Sequence, residues 1–326
     1  ATPSDSTSRW SGIVGVFYNK SQSDTLFESF ARDFGDTNFF TYLNYHAYEQ
    51  NGSFRDPTDN WWVGAYEAEM EQKAVFGEIS YELTERISIT AGGRWYDVKN
   101  EFHLIQGALR AGWPVEGETY INSDESVDSQ ESGFVPKLNI KWQVDDDHML
   151  YATYSEGFRS GGGNALRSNS VLPRKFDSDF LTNYELGAKT TWLDGALQLN
   201  AVAFHMVWED IQVSVEDPQP QVFTLGIVNF PEAEIDGFEL DFVWLPAQGW
   251  ELSGTGAWLD AELSQTSTQY GVTAVEGSQL PLAPEWKASL GAQYTFPTVL
   301  FGGVPYLRLD YSYNGESLNA LGGLES

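Results

Sequence analysis

The side chains that could do chemistry in this chain are few and scattered. Its four histidines, His46, His103, His148 and His205, fall at no spacing that would bring imidazoles to one metal on a helix or across a hairpin. The acidic run Asp145, Asp146, Asp147 starts a calcium-loop pattern with Glu156 in the closing place, but Leu150 stands where that loop needs glycine. Gly161 and Gly163 open a dinucleotide fingerprint that Leu166 breaks. There is no Gly-x-Ser-x-Gly elbow and no cysteine, so neither that nucleophile nor thiolate chemistry is at hand. Glu185 with Lys189, Glu239 with Asp241, and Arg94 with Glu78 read as charges on a wet face before they read as acid-base pairs. The expectation is a protein that is not an enzyme and has no catalytic residue, metal site or cofactor. Ligand contact is another matter. Trp61, Trp62, Trp113, Arg159, Arg167 and Arg174 lie in or beside stretches that read as loops, and indole and guanidinium groups stack on and pair with an anionic chelate or a sugar. The competing role for such tryptophans is anchoring at a membrane interface.

The elements that must position these groups are strands. In Phe238–Leu245 the residues Phe238, Leu240, Phe242 and Trp244 share one face while Glu239 and Asp241 point the other way. The same split sets Ile79, Tyr81 and Leu83 against Glu78, Ser80 and Glu82, and Leu138, Ile140, Trp142 and Val144 against Lys137, Asn139, Lys141 and Gln143. It recurs in Leu197, Leu199, Ala201 and Ala203, and in Ala288, Leu290, Ala292, Tyr294 and Phe296. One face suits lipid and the other water. Connections alternate in length. Short ones are Thr84 to Arg86, Asp145 to Asp147, Leu193 to Gly195 and Pro246 to Gly249. Long polar ones are expected at Ser21 to Glu71, Ile105 to Ser132, Gly161 to Ser178, Glu216 to Gln221 and Gln265 to Pro284. Short turns at one end and long loops at the other are the habit of an outer-membrane barrel, and Ala196 to Val213 exceeds the ~9 to 11 residues needed to cross a bilayer. The reading is all-β: an antiparallel transmembrane β-barrel fragment of about eleven strands.

Composition agrees. A net charge of -29 repels phosphate backbones and argues against nucleic acid as a partner. With 12 Trp, 16 Tyr, 20 Phe and 31 Gly, the chain suits interface girdles and tight hairpins, and it also suits a soluble, glycan-binding β-propeller. The ~40- to 50-residue repeats that a propeller needs are not found.

An ordered series of segments is more specific. Ala74-Val75-Phe76-Gly77-Glu78, Phe134-Val135-Pro136-Lys137-Leu138, and Leu150 through Gly162 (LYATYSEGFRSGG) are followed by Asn183 through Lys189 (NYELGAK), Ile235 through Leu240 (IDGFEL), and Leu280 through Glu285 (LPLAPE). Together they resemble the barrel domain of TonB-dependent receptors. The resemblance implies a barrel of about 22 strands, an N-terminal plug and a segment that engages the TonB complex. Residues 1–326 are expected to be one partial barrel domain, without plug, signal peptide or TonB box, and cut at both ends. The implied function is TonB-energised uptake of a scarce nutrient, a ferric siderophore or similar metal chelate first, across the outer membrane of a Gram-negative bacterium, with outer-membrane lipid and lipopolysaccharide as surroundings. A passive, porin-type channel is the alternative with the same strand pattern.

Overall fold

Residues that alternate in polarity pair edge to edge here, so that the alternation becomes two faces of one sheet. The computed structural model describes residues 8–30, 32–33, 60–108, 123–166, 170–219 and 224–319. Among the described residues there is no helix, and the strands in chain order are β1 (Trp10–Phe30), β2 (Asn60–Glu82), β3 (Ile87–Ala108), β4 (Ser123–Gln143), β5 (His148–Arg159), β6 (Gly162–Gly163), β7 (Lys175–Phe176), β8 (Asp179–Trp192), β9 (Leu197–Glu216), β10 (Leu225–Trp244), β11 (Trp250–Leu263), β12 (Ser267–Gln269), β13 (Val272–Ala274), β14 (Trp286–Thr295) and β15 (Tyr306–Asn314). Eleven of them form a single antiparallel sheet in the order β1-β2-β3-β4-β5-β8-β9-β10-β11-β14-β15. The pairs β6-β7 and β12-β13 form separate two-stranded sheets. The large sheet does not close on itself; β1 and β15 are its edges.

The register carries the apolar positions across the sheet without a break. One row of directly paired residues runs Ile89, Ile140, Ala152, Leu186, Ala203, Phe238. Another runs Leu199, Phe242, Gly254, Leu290, Tyr311. Most of the large side chains of this face are exposed, Leu186, Phe238, Leu290 and Leu309 among them. Aromatic rings border the band at both levels: Phe134 and Trp142 on β4, Tyr184 and Trp192 on β8, Trp250 and Trp258 on β11, and Trp286 and Tyr294 on β14. Each of these pairs is separated by eight positions. That is ~27 Å along a strand and, with both ends counted, nine residues, the lower end of the ~9 to 11 with which a tilted strand crosses a hydrocarbon core. The opposite face holds Glu78 bonded to Lys137 at 2.7 Å, and Asn200 donating to Asp241 at 2.8 Å.

The short turns all lie at one end, as expected. At one of them the Asp145 carboxylate accepts the backbone N–H of Asp147 (3.0 Å) and of His148 (2.9 Å), which makes the acidic run a turn cap. Two of the expected long loops are corrected. Ser21 to Phe30 belongs to β1, Asn60 to Glu71 to β2, Ile105 to Ala108 to β3, and Ser123 to Ser132 to β4. In these stretches pairing continues beyond the apolar band, although the side chains of the formerly apolar face have become charged.

On the polar face, glycines leave room for rings from the neighbouring strand. Tyr151 lies over its paired residue Gly187, and Phe204 over Gly237; a Cβ on Gly237 would sit 2.1 Å from the Phe204 ring. Gly237→Val should therefore cost ~1 to 3 kcal/mol through displacement of that ring. The check is the urea midpoint at which unheated protein loses its compact gel mobility, with a surface control such as the exposed Gln198→Ala left within error.

Candidate functional site

Above the aromatic row that contains Trp95 and Phe134, the sheet changes character in two ways. The first is an exchange of polarity between its faces. Continuing upward from Val75 and Trp95, the formerly apolar face carries Lys73, Glu71, Glu69 and Glu67 on β2, paired with Asp97, Lys99, Glu101 and His103 on β3. Ion pairs knit it, Lys20 with Glu69 at 2.5 Å, Lys73 with Glu71 at 2.8 Å, and Lys99 with Glu101, and the His103 ring lies 3.5 Å from Glu67. They are solvated and keep that face in water more than they stabilise the fold. The other face, polar below, now presents Ala74, Tyr96 and Val98, all buried, with Met70 and Val135 against them. Farther up, the rings of Tyr66 and Phe102 lie 5.9 Å apart.

The second change is a split. β4 pairs with β5 only from Lys137↔Ser155 to Gln143↔Met149, whereas β4 stays paired with β3 up to Ser123 and β5 with β8 up to Arg159. Above the band the sheet is thus two panels, β1 to β4 and β5 to β11. The segment between β5 and β8 crosses the gap on the formerly polar face. Asn100 Nδ2 donates to the Gly161 carbonyl (2.8 Å), and Gly161 N–H donates to Ser178 Oγ (2.9 Å), which in turn donates to Glu131. Tyr96 Oη donates to the same Glu131 at 3.2 Å and stacks on Phe158, ring centroids 3.6 Å apart. At the other end Asn164 donates to the carbonyls of Pro173 (2.8 Å) and Ile227 (2.7 Å) and accepts Ile227 N–H (2.7 Å). Asp177 N–H donates to Asn229 Oδ1 at 2.8 Å.

Beneath this bridging segment lies the main hydrophobic core. Leu166 and Leu172 pack on Ile211, Val213, Val215, Val228 and Phe230, joined by Ala261, Leu263, Val272, Ala274 and Leu280. Burying each of the larger side chains contributes about 1.5 to 3 kcal/mol. Strict alternation would send Ile211 away from Trp208, and Phe230 away from Ala233, yet all four share this core. The reason is a paired irregularity. Asp210 takes φ 53 opposite Pro231, which has no N–H to donate, while the register on both sides is kept, Glu209↔Glu232 and Ile211↔Phe230. Both strands turn over at one level and deliver their upper apolar residues to the bridging segment.

Of the residues expected to meet a ligand, Arg159 and Arg174 are fully placed. Asp179, 1% exposed, accepts Arg159 Nε at 3.1 and 2.9 Å, Arg159 N–H at 3.2 Å and Gln212 N–H at 3.1 Å, and pairs with Arg159 Nη2. The Arg159 guanidinium also lies 4.6 Å from the Trp208 ring centroid, and half of the side chain remains exposed. Arg174 Nε pairs with Glu125 at 3.1 Å, tying the bridging segment to the upper part of β4. Trp61 and Trp62 lie at the start of β2, and their side chains fall outside the description, as do Trp113 and Arg167 altogether. The structure brings none of the described ones into one cluster with another. What sequence reasoning missed are the acceptors: Asp179, Glu131, Asn164 and Asp217. Their distant partners stand 20 to 63 positions away, and only the pairing of strands reveals them.

Two carboxyls that hold the bridging segment have shifted titration. Burial pushes Glu131 up, a tendency that the Tyr96 hydrogen bond opposes and the nearby Asp177 charge reinforces; Lys175 opposes it more weakly. Burial would push Asp217 up too, but Ser170 Oγ (2.5 Å) and the N–H groups of Gln219 (2.9 Å) and Val171 (3.0 Å), with that of Leu172, outweigh it and hold Asp217 below its ordinary value. A carboxyl lowered in the folded state stabilises above its unfolded pKa, and that contribution is lost as pH falls through the folded value. Amide-exchange protection at Val171 and Gln219 should thus fall on acidification below about pH 4. In Asp217→Asn it should be low throughout, with docking weakened by ~1 to 3 kcal/mol; a variant that kept full, acid-sensitive protection would show that Asp217 does not hold this segment.

A family model described as "TonB dependent receptor-like, beta-barrel" matches residues 1–323. Among curated proteins, the pesticin receptor of Yersinia pestis is 24% identical over 218 residues, 67% of this chain and 29% of that protein. The metal-pseudopaline receptor CntO of Pseudomonas aeruginosa is 26% identical over 173 residues, 53% of this chain and 22% of that protein. The chain thus spans less than a third of the length of these curated relatives. Among solved structures, the ferric yersiniabactin uptake receptor FyuA of Yersinia pestis superposes with a TM-score of 0.70 at 18% identity, covering 94% of this chain and 40% of that one. The siderophore receptor PiuA of Acinetobacter baumannii gives 0.61 at 19% identity, covering 88% and 42%. At such identities the structures speak for the fold.

Proposed function

The chain belongs to the TonB-dependent receptor β-barrel family, and from that membership we propose that it supplies part of the wall and outer vestibule of an outer-membrane receptor that imports a scarce nutrient. Members of this family are transporters of the Gram-negative outer membrane and not enzymes. The most apt cargo is a ferric siderophore or similar metal chelate, the class named for the relatives that match. In this reading the apolar band meets lipid, the short turns face the periplasm, and the long-loop end faces outside. Further strands close the barrel, a plug fills it, and the TonB complex drives transport through a segment outside this chain.

The observation that carries the reading is the exchange of polarity above the aromatic row. A soluble sheet has no reason to expose Leu186, Phe238, Leu290 and Leu309 over a band one bilayer high and then charge the same face. The vestibule side, with Tyr66 and Phe102 and with the half-exposed guanidinium of Arg159 over Trp208, offers aromatic faces and a cation. Those groups suit an anionic chelate. Trp61, Trp62, Trp113, Arg167 and Arg174 remain proposed contacts on sequence grounds.

The test is uptake of radiolabelled ferric chelates by iron-starved cells expressing the complete receptor, with and without TonB. Energy-dependent accumulation of at least one chelate, abolished without TonB, is the expected result. Arg159→Gln should weaken chelate binding about tenfold, the equivalent of ~1.4 kcal/mol, with the protein still in the membrane. Uptake that persists without TonB would favour a passive channel, and no accumulation of any metal chelate would remove that cargo class.

A further inference from the structure

The lipid-facing band is not uniformly filled. Along the paired row Ile140, Ala152, Leu186, Ala203, alanines alternate with large residues on β4, β5, β8 and β9. With Leu138 above, they leave a groove of ≈ 570 Å³, within the ~300 to 1,000 Å³ of ordinary ligand sites. Its floor is hydrocarbon, and its rim, at the long-loop end, is not. The next row up reads Leu138, Tyr154, Tyr184, His205, Asp236. Tyr154 and Tyr184 rings stand 5.4 Å apart, and Tyr184 and His205 stack at 6.3 Å. His205 Nδ1 meets Asp236 Oδ1 at 3.0 Å, and Tyr154 Oη donates to Glu156.

We infer that this groove is a binding site for one acyl chain of a saccharide-headed lipid in the outer leaflet. The inference rests on the lipid-facing reading of the band. Three features select the head group. Aromatic faces at the rim suit the C–H faces of a sugar ring. The carboxylates of Asp236 and Glu156 accept hydrogen bonds from sugar hydroxyls. And among the described residues of this face on β4, β5, β8 and β9, from Phe134 to Trp142, Leu150 to Glu156, Thr182 to Trp192 and Leu197 to Val207, there is no Lys or Arg to pair with a phosphate. A phosphate-headed lipid would meet two carboxylates and one histidine already engaged by Asp236, which is repulsive overall.

The complete receptor, reconstituted in phosphatidylcholine vesicles with a trace of either a glucosyl diacylglycerol or a phosphatidylglycerol carrying the same photoactivatable acyl chain, tests this by mapping cross-linked residues after irradiation. Labelling near Ala152, Leu186 and Ala203 should be about tenfold greater from the glucosyl lipid, a preference of ~1.4 kcal/mol. Filling the groove with Ala203→Trp should abolish that excess, while Ala292→Trp, on the same face of β14, should leave it. Equal labelling by both lipids, or an excess that survives Ala203→Trp, would overturn the site and leave the membrane reading intact. Absence of acyl-chain labelling anywhere on the face, Leu290 included, would overturn the membrane reading and the site with it.

Discussion

Hydrocarbon offers a peptide group no hydrogen-bond partner, and in the proposed setting every N–H and C=O at that depth must find one in a neighbouring strand. The long registers follow from this, as does the absence of any interruption in the paired rows between Ile89 and Tyr311. Alternation then assigns each side chain to lipid or lumen with no freedom left. Glycines such as Gly187 and Gly237 lie within these rows because an aromatic neighbour occupies the room a side chain would take, so pairing is kept while the polar face is filled.

Above the band the constraint lifts, and the same strands do things that lipid forbids. β4 and β5 part, because unpaired edges can be hydrated or served by side chains. Asp210 and Pro231 turn over two strands at once, which would be costly against acyl chains and here delivers Ile211, Val213, Val228 and Phe230 to a core shared with Leu166 and Leu172. The buried Asp179 draws the Arg159 guanidinium and two backbone N–H groups to one point at the root of the bridging segment. The vestibule wall is therefore a packed structure in its own right.

Much of the lower half was legible in the sequence, since Phe238, Leu240, Phe242 and Trp244 announce both a strand and its apolar face, and Leu193, Asp194 and Gly195 announce a turn. The upper half was harder. Glu67, Glu69 and Glu71 alternate as strictly as any lipid-facing set, but a strand with one charged face and small or aromatic residues on the other resembles a polar loop when read for hydrophobicity. Pro231 was the visible trace of the turnover in β10. The anchors Asn164, Asp179 and Asp217 left no trace, because an isolated Asn or Asp in a loop gives no sign of which distant backbone it will satisfy.

The bridging segment also carries information about time. Its anchor to the first panel joins Asn100 to Gly161, residues 61 positions apart, and can form only when both panels already stand side by side, whereas Asn164 to Ile227, 63 positions apart, closes within the second panel. Contacts of such separation pay their loop-closure entropy late. The seam between the panels should accordingly be the last part of this wall to assemble, after the strands below it have zipped into register, and the first to open when the protein is pulled or denatured. Until then the upper part of this wall has an open cleft along β4, and it acquires its final shape only when the seam closes.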